Sequence, residues 1–289
     1  MQETYSSLEV RLDSVLVATD FSTASKQAVL YAIAIARRHN SKLFMAHVVS
    51  SRSESALMDG WRAGQAEITE QLLANRLDGI EHELVVKSGQ VWEVLSRFII
   101  ENKINLVVVG TRGRTGVLKL LLGSVAENIF RRAQCPVLTV GPNISGQNPE
   151  ISPERILAST GFAAHSVFGV RYAIGLAKNL HASIALLHVV TVAVELSEDA
   201  KSRLTTERIG KLRSLIPTNV TLASEPLLVI EFGPAPEKLL ETAAVWKANL
   251  IVLGLRRVQE ASPGKATWAT AYEIVSRANC PVLTVRGPE

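Results

Sequence analysis

Cysteine is scarce in this chain: 289 residues carry two, Cys135 and Cys280. Each stands directly before a proline at the head of an apolar run, so a repeated thiol at a core edge is expected, not a bridge. No CxxC pair and no Cys/His spacing of a zinc site occurs, which excludes a zinc-held fold. A reducing compartment suits such thiols. Aromatic residues make up 5%, and no run of Lys or Arg exceeds two, so the net charge of +4 reads as a mildly basic surface and not as a nucleic-acid face. No apolar stretch approaches the roughly 20 residues of a membrane span. The segment Met1 to Arg11 lacks the apolar centre of a secretory signal, and a cytoplasmic location is the expectation.

What is present is a folded composition, 47% hydrophobic and 20% charged, in a length that suits two domains. The chain repeats itself. Ser14–Ser22 reads SVLVATDFS and Arg155–Ala163 reads RILASTGFA. Ala46–Val49 (AHVV) answers to Leu187–Val190 (LHVV), and Leu106–Gly110 (LVVVG) to Leu250–Gly254 (LIVLG). Cys135–Val140, CPVLTV, returns letter for letter at Cys280–Val285. The tract Gly141–Pro153 is rich in Gly, Pro, Asn and Ser and reads as the linker. The division expected is residues 1–142, a linker over 143–153, and residues 154–289.

Within the first copy, short apolar runs alternate with helical periodicity. Strands are expected at Val15–Thr19, Leu43–Val49, Glu83–Lys87, Leu106–Val109 and Pro136–Val140. A first helix, capped by Ser22 or Thr23, carries the stripe Ala24, Ala28, Tyr31 and Ile35, answered in the second copy by Gly169, Tyr172 and Leu176. Further helices are expected near Gln65–Leu77 and over Val91–Glu101 and Ser124–Ala133. The polar stretch Ser50–Gly64 has little pattern and reads as a segment near the strand ends, in the position of a lid. Alternation of this kind gives an α/β fold, with a parallel sheet covered by helices on both faces. Ligands of such sheets bind beyond the carboxyl ends of the strands, where strand order reverses.

Candidate chemistry therefore belongs at the strand ends. After Gly110 the chain runs TRGRTGVLKLLLGSVAENI. Gly110 and Gly113 permit tight backbone geometry and close approach of a ligand. Gly123–Ser124 opens a helix whose first N–H groups lack intrahelical partners and carry roughly half a positive charge, which suits a phosphate. Arg112 and Arg114 add donors beside it. The spacing is neither a Walker A loop nor the GxGxxG fingerprint. Asp20, at the end of the first strand, is a strong acceptor for a ribose or an adenine edge, or alternatively a carboxylate favoured near a helix start.

The pattern Gly110-x2-Gly113-x9-Gly123-Ser124 matches the G-x2-G-x9-G-[S/T] signature of ATP-binding universal stress proteins, and the repeated strand sequences resemble that family over both copies. The resemblance implies two tandem Rossmann-like (adenine nucleotide alpha hydrolase-like) domains, each a five-stranded parallel sheet with helices on both faces. It also implies ATP, with Mg or Mn, as the ligand of the first copy. On that resemblance Ala18 and Asp20 lie beside adenine and ribose, and Val48 offers backbone hydrogen bonds to adenine. Val109 and Gly110 pack nearby. Thr111, Arg112, Gly113 and Arg114 line the ribose and phosphate path, and Gly123, Ser124, Val125 and Ala126 hold phosphates. Position 18 departs from the proline of some nucleotide-bound members.

The second copy departs further. After Gly254 it reads LRRVQEASPGKATWATAYEI: Arg257 replaces the second glycine, Trp268–Ala269 falls on the Gly-Ser position, and Gly161 replaces the aspartate. An indole at the helix mouth leaves no space for phosphate, so no nucleotide site is expected there. His47 and His188, at matched strand ends, are expected to bond a neighbouring loop, and Glu127 to form a salt bridge. Trp61, Trp92 and Trp246 are read as packing residues. A phospho-acceptor receiver domain is set aside, since the third strand ends VVKSG.

The leading functional expectation is an ATP-binding regulatory protein of the stress response. In it the second copy is an intramolecular pseudo-dimer partner, the two CPVLTV strands pairing as the last strands of two units do in the family. Association of two chains into a homodimer stays open. The alternatives are a slow ATP hydrolase or phosphate-transfer enzyme, and an interaction module without nucleotide. No catalytic residue and no protein metal ligand is assigned, and neither a nucleic acid nor a membrane is expected as partner.

Overall fold

The computed structural model of the chain describes residues 10–49, 54–74, 77–111, 123–144, 153–191, 196–256 and 265–287. It divides into two compact units. Among the described residues, one runs from Arg11 to Ile144, and the other comprises Val10 together with Pro153 to Gly287.

The first unit alternates strand and helix: β1 (Ser14–Ala18), α1 (Thr23–His39), β2 (Lys42–Val49), α2 (Glu54–Ala74), β3 (His82–Ser88), α3 (Val91–Glu101), β4 (Leu106–Gly110), α4 (Ser124–Arg132) and β5 (Val137–Val140). Its strands lie in the order β3-β2-β1-β4-β5, and every neighbouring pair is parallel. The order reverses between β1 and β4. The second unit repeats the plan with β6 (Arg155–Ser159), α5 (Ala164–Leu180), β7 (Ser183–Val190), α6 (Glu198–Ser214), β8 (Leu227–Phe232), α7 (Ala235–Val245), β9 (Leu250–Arg256), α8 (Lys265–Arg277) and β10 (Val282–Gly287). Its order is β8-β7-β6-β9-β10, again parallel throughout. These are the five-stranded α/β units the alternation implied.

The central strands are apolar runs because both faces are covered. Val15, Leu16 and Val17 of β1, and Val107 and Val108 of β4, have no solvent exposure, and neither do Ile156, Leu157 and Ala158 of β6. At the opposite end of the sheet from the candidate site, an asparagine locks β1 to β4: Asn105 Oδ1 accepts from Ser14 N at 2.9 Å, as Asn249 Oδ1 does from Arg155 N at 2.8 Å.

Two elements differ from expectation. Helix α2 starts at Glu54, so most of the stretch read as unpatterned is helical. Its glycines serve contact. A Cβ at Gly60 would meet Val49 Cγ1 at 2.7 Å, and one at Gly64 would meet His47 Cδ2 at 2.8 Å, so the helix crosses the end of β2 on a groove of two glycines one turn apart. Trp61 of this helix is 39% exposed and is not a core residue. The buried face of α1 is also different: Ser25, Ala28, Val29, Ala32, Ile33 and Ala36 are buried, while Ala24, Tyr31 and Ile35 lie at its margin. Small residues let this helix lie close on the sheet, and the larger ones flank the contact.

Candidate functional site

The carboxyl ends of β1 and β4 stand level, since Ala18 pairs with Val109. On its other side Ala18 pairs with Ala46, two residues before Val48 on β2. Val109 is buried, and Gly110, the last residue of β4, pairs with Val140. Ala18, Val109 and Gly110 thus share one sheet edge at the reversal of strand order, with Val48 on the adjoining strand.

Beyond β1 the chain makes an unusual turn. Phe21 has φ of 65°, a left-handed conformation rare for a bulky residue. Three contacts hold it: Phe21 N donates to Thr19 Oγ1 at 3.1 Å, its ring lies 4.5 Å from that of His47, and His47 Nδ1 lies 2.9 Å from the Thr19 carbonyl oxygen. That oxygen can only accept, so Nδ1 carries the proton. The Thr19 hydroxyl in turn donates to Ser25 Oγ at 3.2 Å. The turn sets Asp20 at the strand end with Oδ1 accepting from Ser22 N at 3.1 Å, at the start of α1, where Ser22 caps the helix through Ser25 N. The second unit repeats the arrangement: Phe162 has φ of 64°, Thr160 Oγ1 accepts from Phe162 N at 2.9 Å, and His188 Nδ1 lies 2.8 Å from Thr160 O. The histidines therefore bond the loop, as expected. The Thr–Phe–Ser set was not singled out from sequence, although its signal is there: Thr19 and Thr160 each precede a Phe by two residues and a Ser by six.

The glycine ending β4 has a structural cause. A Cβ at Gly110 would strike the backbone of α1 at Ala24 and Ser25, with Ser25 N at 2.8 Å. Gly254 meets the matching obstacle at His165 and Ser166 of α5, with Ser166 Cα at 2.7 Å. Neither glycine adopts a positive φ. Packing of the first helix against the strand is by itself a reason for glycine at position 110.

Thr111 then closes a loop. Its N donates to Val140 O at 3.2 Å, and its carbonyl accepts from Gly123 N at 2.8 Å. Arg112, Gly113 and Arg114 lie outside the described residues. The pinning of 111 to 123 returns the chain to the end of β4, where α4 begins. Gly123 is its N-cap, with extended φ of −56° and ψ of 150° and no side-chain cap. Glu127 N bonds back to Gly123 O at 2.8 Å, so the N–H groups of Ser124, Val125 and Ala126 precede the first i→i−4 bond of the helix. Thr111 is 3% exposed, and among the described residues its buried Oγ1 has no hydrogen-bond partner. A buried hydroxyl without a partner costs stability, and it stands here beside a helix start whose first donors have no i→i−4 partner. Glu127, one turn inside α4, forms the expected salt bridge, with Arg131 at 3.2 Å. Among the described residues, no three His, Cys, Asp or Glu side chains gather as a metal site.

In the second unit the corresponding place is built differently. Leu255 stands where the first unit has Thr111, and Gly161 where it has Asp20. Helix α8 starts at Lys265. Aligned through CPVLTV, the start of α4 at Ser124 corresponds to Ala269, so α8 begins four residues earlier (265 against 269). Trp268 is therefore inside the first turn of α8, and an added turn of backbone stands where α4 has its open start. The Trp268 side chain lies outside the described residues.

The sequence profile of the universal stress protein family matches residues 12–141 and 153–286. The chain belongs to the universal stress protein family. It is 31% identical over 141 residues to universal stress protein MJ0531 of Methanocaldococcus jannaschii, a match covering 44% of this chain and 80% of that protein. Mycobacterial universal stress proteins match at 34% identity, over 46% of their own length. A crystal structure of a universal stress protein from Archaeoglobus fulgidus superposes with a TM-score of 0.70 over 96% of this chain and 99% of that one, at 19% identity, a likeness of fold. A universal stress protein solved in complex with cAMP is 31% identical, covering 45% of this chain and 96% of its own, with a TM-score of 0.37. Among the described residues of this universal stress protein, no helix is long and apolar enough to cross a membrane.

Proposed function

We propose that the first unit binds ATP and that the protein is a nucleotide-dependent regulator of the stress response, with the second unit as its partner within the chain. The observation that carries the reading is the pairing of an uncapped helix start at Ser124 with the unpartnered, buried Thr111 hydroxyl, at the reversal of strand order. Asp20 fits a ribose as a carboxylate acceptor at the strand end, set in place by Ser22 N donating to Oδ1. The backbone of Val48 and the apolar surface of Ala18 and Val109 suit a purine. Gly123 to Ala126 fit the phosphates, and Thr111 fits the path between the two. Arg112, Gly113 and Arg114 join this assignment on sequence alone. Mg or Mn, carried with the phosphates, would offset their charge.

Calorimetric titration of the full chain with ATP tests this reading. One ATP per chain is expected, with binding lost in Gly123→Trp and weakened by about tenfold in Asp20→Ala. Wild-type affinity in both variants would refute the site. Phosphate release measured on the same samples separates a binding protein from a slow hydrolase, because positioning and charge alone can support slow turnover.

A further inference from the structure

The second unit is not filled at its strand ends. A cavity of about 250 Å³ opens there, walled by Val189, Leu239, Leu253, Leu255, Ala271 and Ile274. At a water's share of roughly 30 Å³ it would take about eight waters, which makes it a small-molecule space. Every described residue lining it is uncharged. Gly161 removes the carboxylate from its rim, and a Cβ at that position would meet nothing within 4 Å. Leu255 turns the place of the Thr111 hydroxyl apolar, and the early start of α8 withdraws the helix mouth.

The cavity is not wholly apolar. Thr160 and Ser166 also line it, but their hydroxyls are spent on each other at 3.0 Å, and Ser166 donates to Ala163 O at 2.8 Å. Ser159 and Thr270 line it too, and neither hydroxyl bonds another described residue. The first unit has Ala18 and Val125 at these two places. So the second copy has lost the carboxylate and the Thr111 hydroxyl of the first while gaining two hydroxyls over an aliphatic wall, and Arg256, in the place of Arg112, is not among the described residues that line the cavity. That is a change of ligand chemistry, not the erasure of a site.

We infer that the second unit binds an uncharged, mainly apolar ring compound bearing one or two hydrogen-bonding groups, held between the aliphatic wall and the hydroxyls of Ser159 and Thr270. This goes beyond the nucleotide reading of the first unit and does not depend on it. Such a ligand loses apolar surface to water on entry and leaves no buried charge unpaired.

The test uses the full chain with isotope-labelled Ile, Leu and Val methyl groups, followed by NMR during titration with indole and, separately, ATP. Indole is expected to move the methyl signals of Val189, Leu255 and Ile274 to saturation, while ATP leaves them in place. Ala271→Phe fills the cavity and is expected to weaken indole by at least about tenfold. Should that variant fail to fold, Gly161→Leu, which projects into open space, is expected to do the same. The inference is overturned if indole at its solubility limit leaves the three signals unmoved, if binding survives the filling variant, or if ATP moves the same signals. The methyls of Val48, Val109 and Val125 report on the first unit in the same spectra, so failure of the nucleotide reading is seen separately.

Discussion

Two loops leave the same kind of strand end in this chain and go to different chemistry. Both β4 and β9 place a glycine under the first turn of a helix, and in both a single Cβ would collide with backbone. The first unit follows that glycine with Thr111 and delays its helix to Ser124; the second follows it with Leu255 and starts its helix four residues sooner in the alignment (265 against 269). The comparison separates what the fold demands from what a ligand demands. A glycine kept in both copies belongs to the fold, and residues that differ just beyond it belong to the sites.

The largest effect that would sharpen this division comes from the shared glycine. Gly110→Ala and Gly254→Ala should each destabilise their unit by about 3 kcal/mol or more, since the obstacle is backbone and cannot swing aside. Denaturant unfolding checks this, and an unaltered midpoint in either variant would remove the packing argument. Next come the residues after the glycine. Leu255→Thr should cost about 2 kcal/mol, by burying a hydroxyl in an aliphatic wall. Thr111→Val should leave stability unchanged or raise it by about 1 kcal/mol while weakening ATP about tenfold. Opposite signs in stability and affinity would mark Thr111 as a ligand group, and a loss of both would mark it as structural.

The helix caps give a smaller contrast. Ser22 caps α1 through its side chain, whereas Ala163 offers α5 none. Ser22→Ala should lose about 1 kcal/mol, and Ala163→Ser should gain a few tenths to about 1 kcal/mol. Equal responses in thermal melts would show that the capping difference is immaterial. The smallest effect is in pH. Burial lowers the pKa of His165 and His188, with help from the positive charge of Arg256 and of Arg208 and Lys211 respectively, while the first unit has one such group, His39, lowered by burial and by Arg38. A lowered pKa favours the neutral ring in the folded state. Stability is then full above the unfolded value of 6.5 and falls with pH through it, until the folded group protonates in turn. Hydrogen exchange between pH 7 and 5 should therefore show the second unit loosening more than the first.

Much of this was legible in sequence. Strands buried on both faces announce themselves as apolar runs, and α3 falls at the expected Val91–Glu101 because polar and glycine residues bracket a strongly periodic segment. The misread parts share one cause. The stretch Ser50–Gly64 has little pattern because Gly60 and Gly64 answer to the end of β2, and the packing of α1 over Gly110 is likewise absent from the linear sequence. A glycine's reason lies in the atom opposite, which a linear pattern does not contain. The early start of α8 escaped for a related reason: Lys265, Ala266 and Thr267 can continue a helix or precede one, and only the structure shows which. The candidate site was legible as a set of positions. The cavity of the second unit was not, because it is made of what is missing there.

The duplicated cysteines have a practical consequence. Cys280 is buried, and its thiol is pushed up to about 12 by desolvation, so almost none of it is thiolate at neutral pH; Cys135 is more open. Alkylation of Cys280 must wait for the strand beside it to come undone. The molecule thus carries its own clock for the opening of its second half, readable by mass without any added label site.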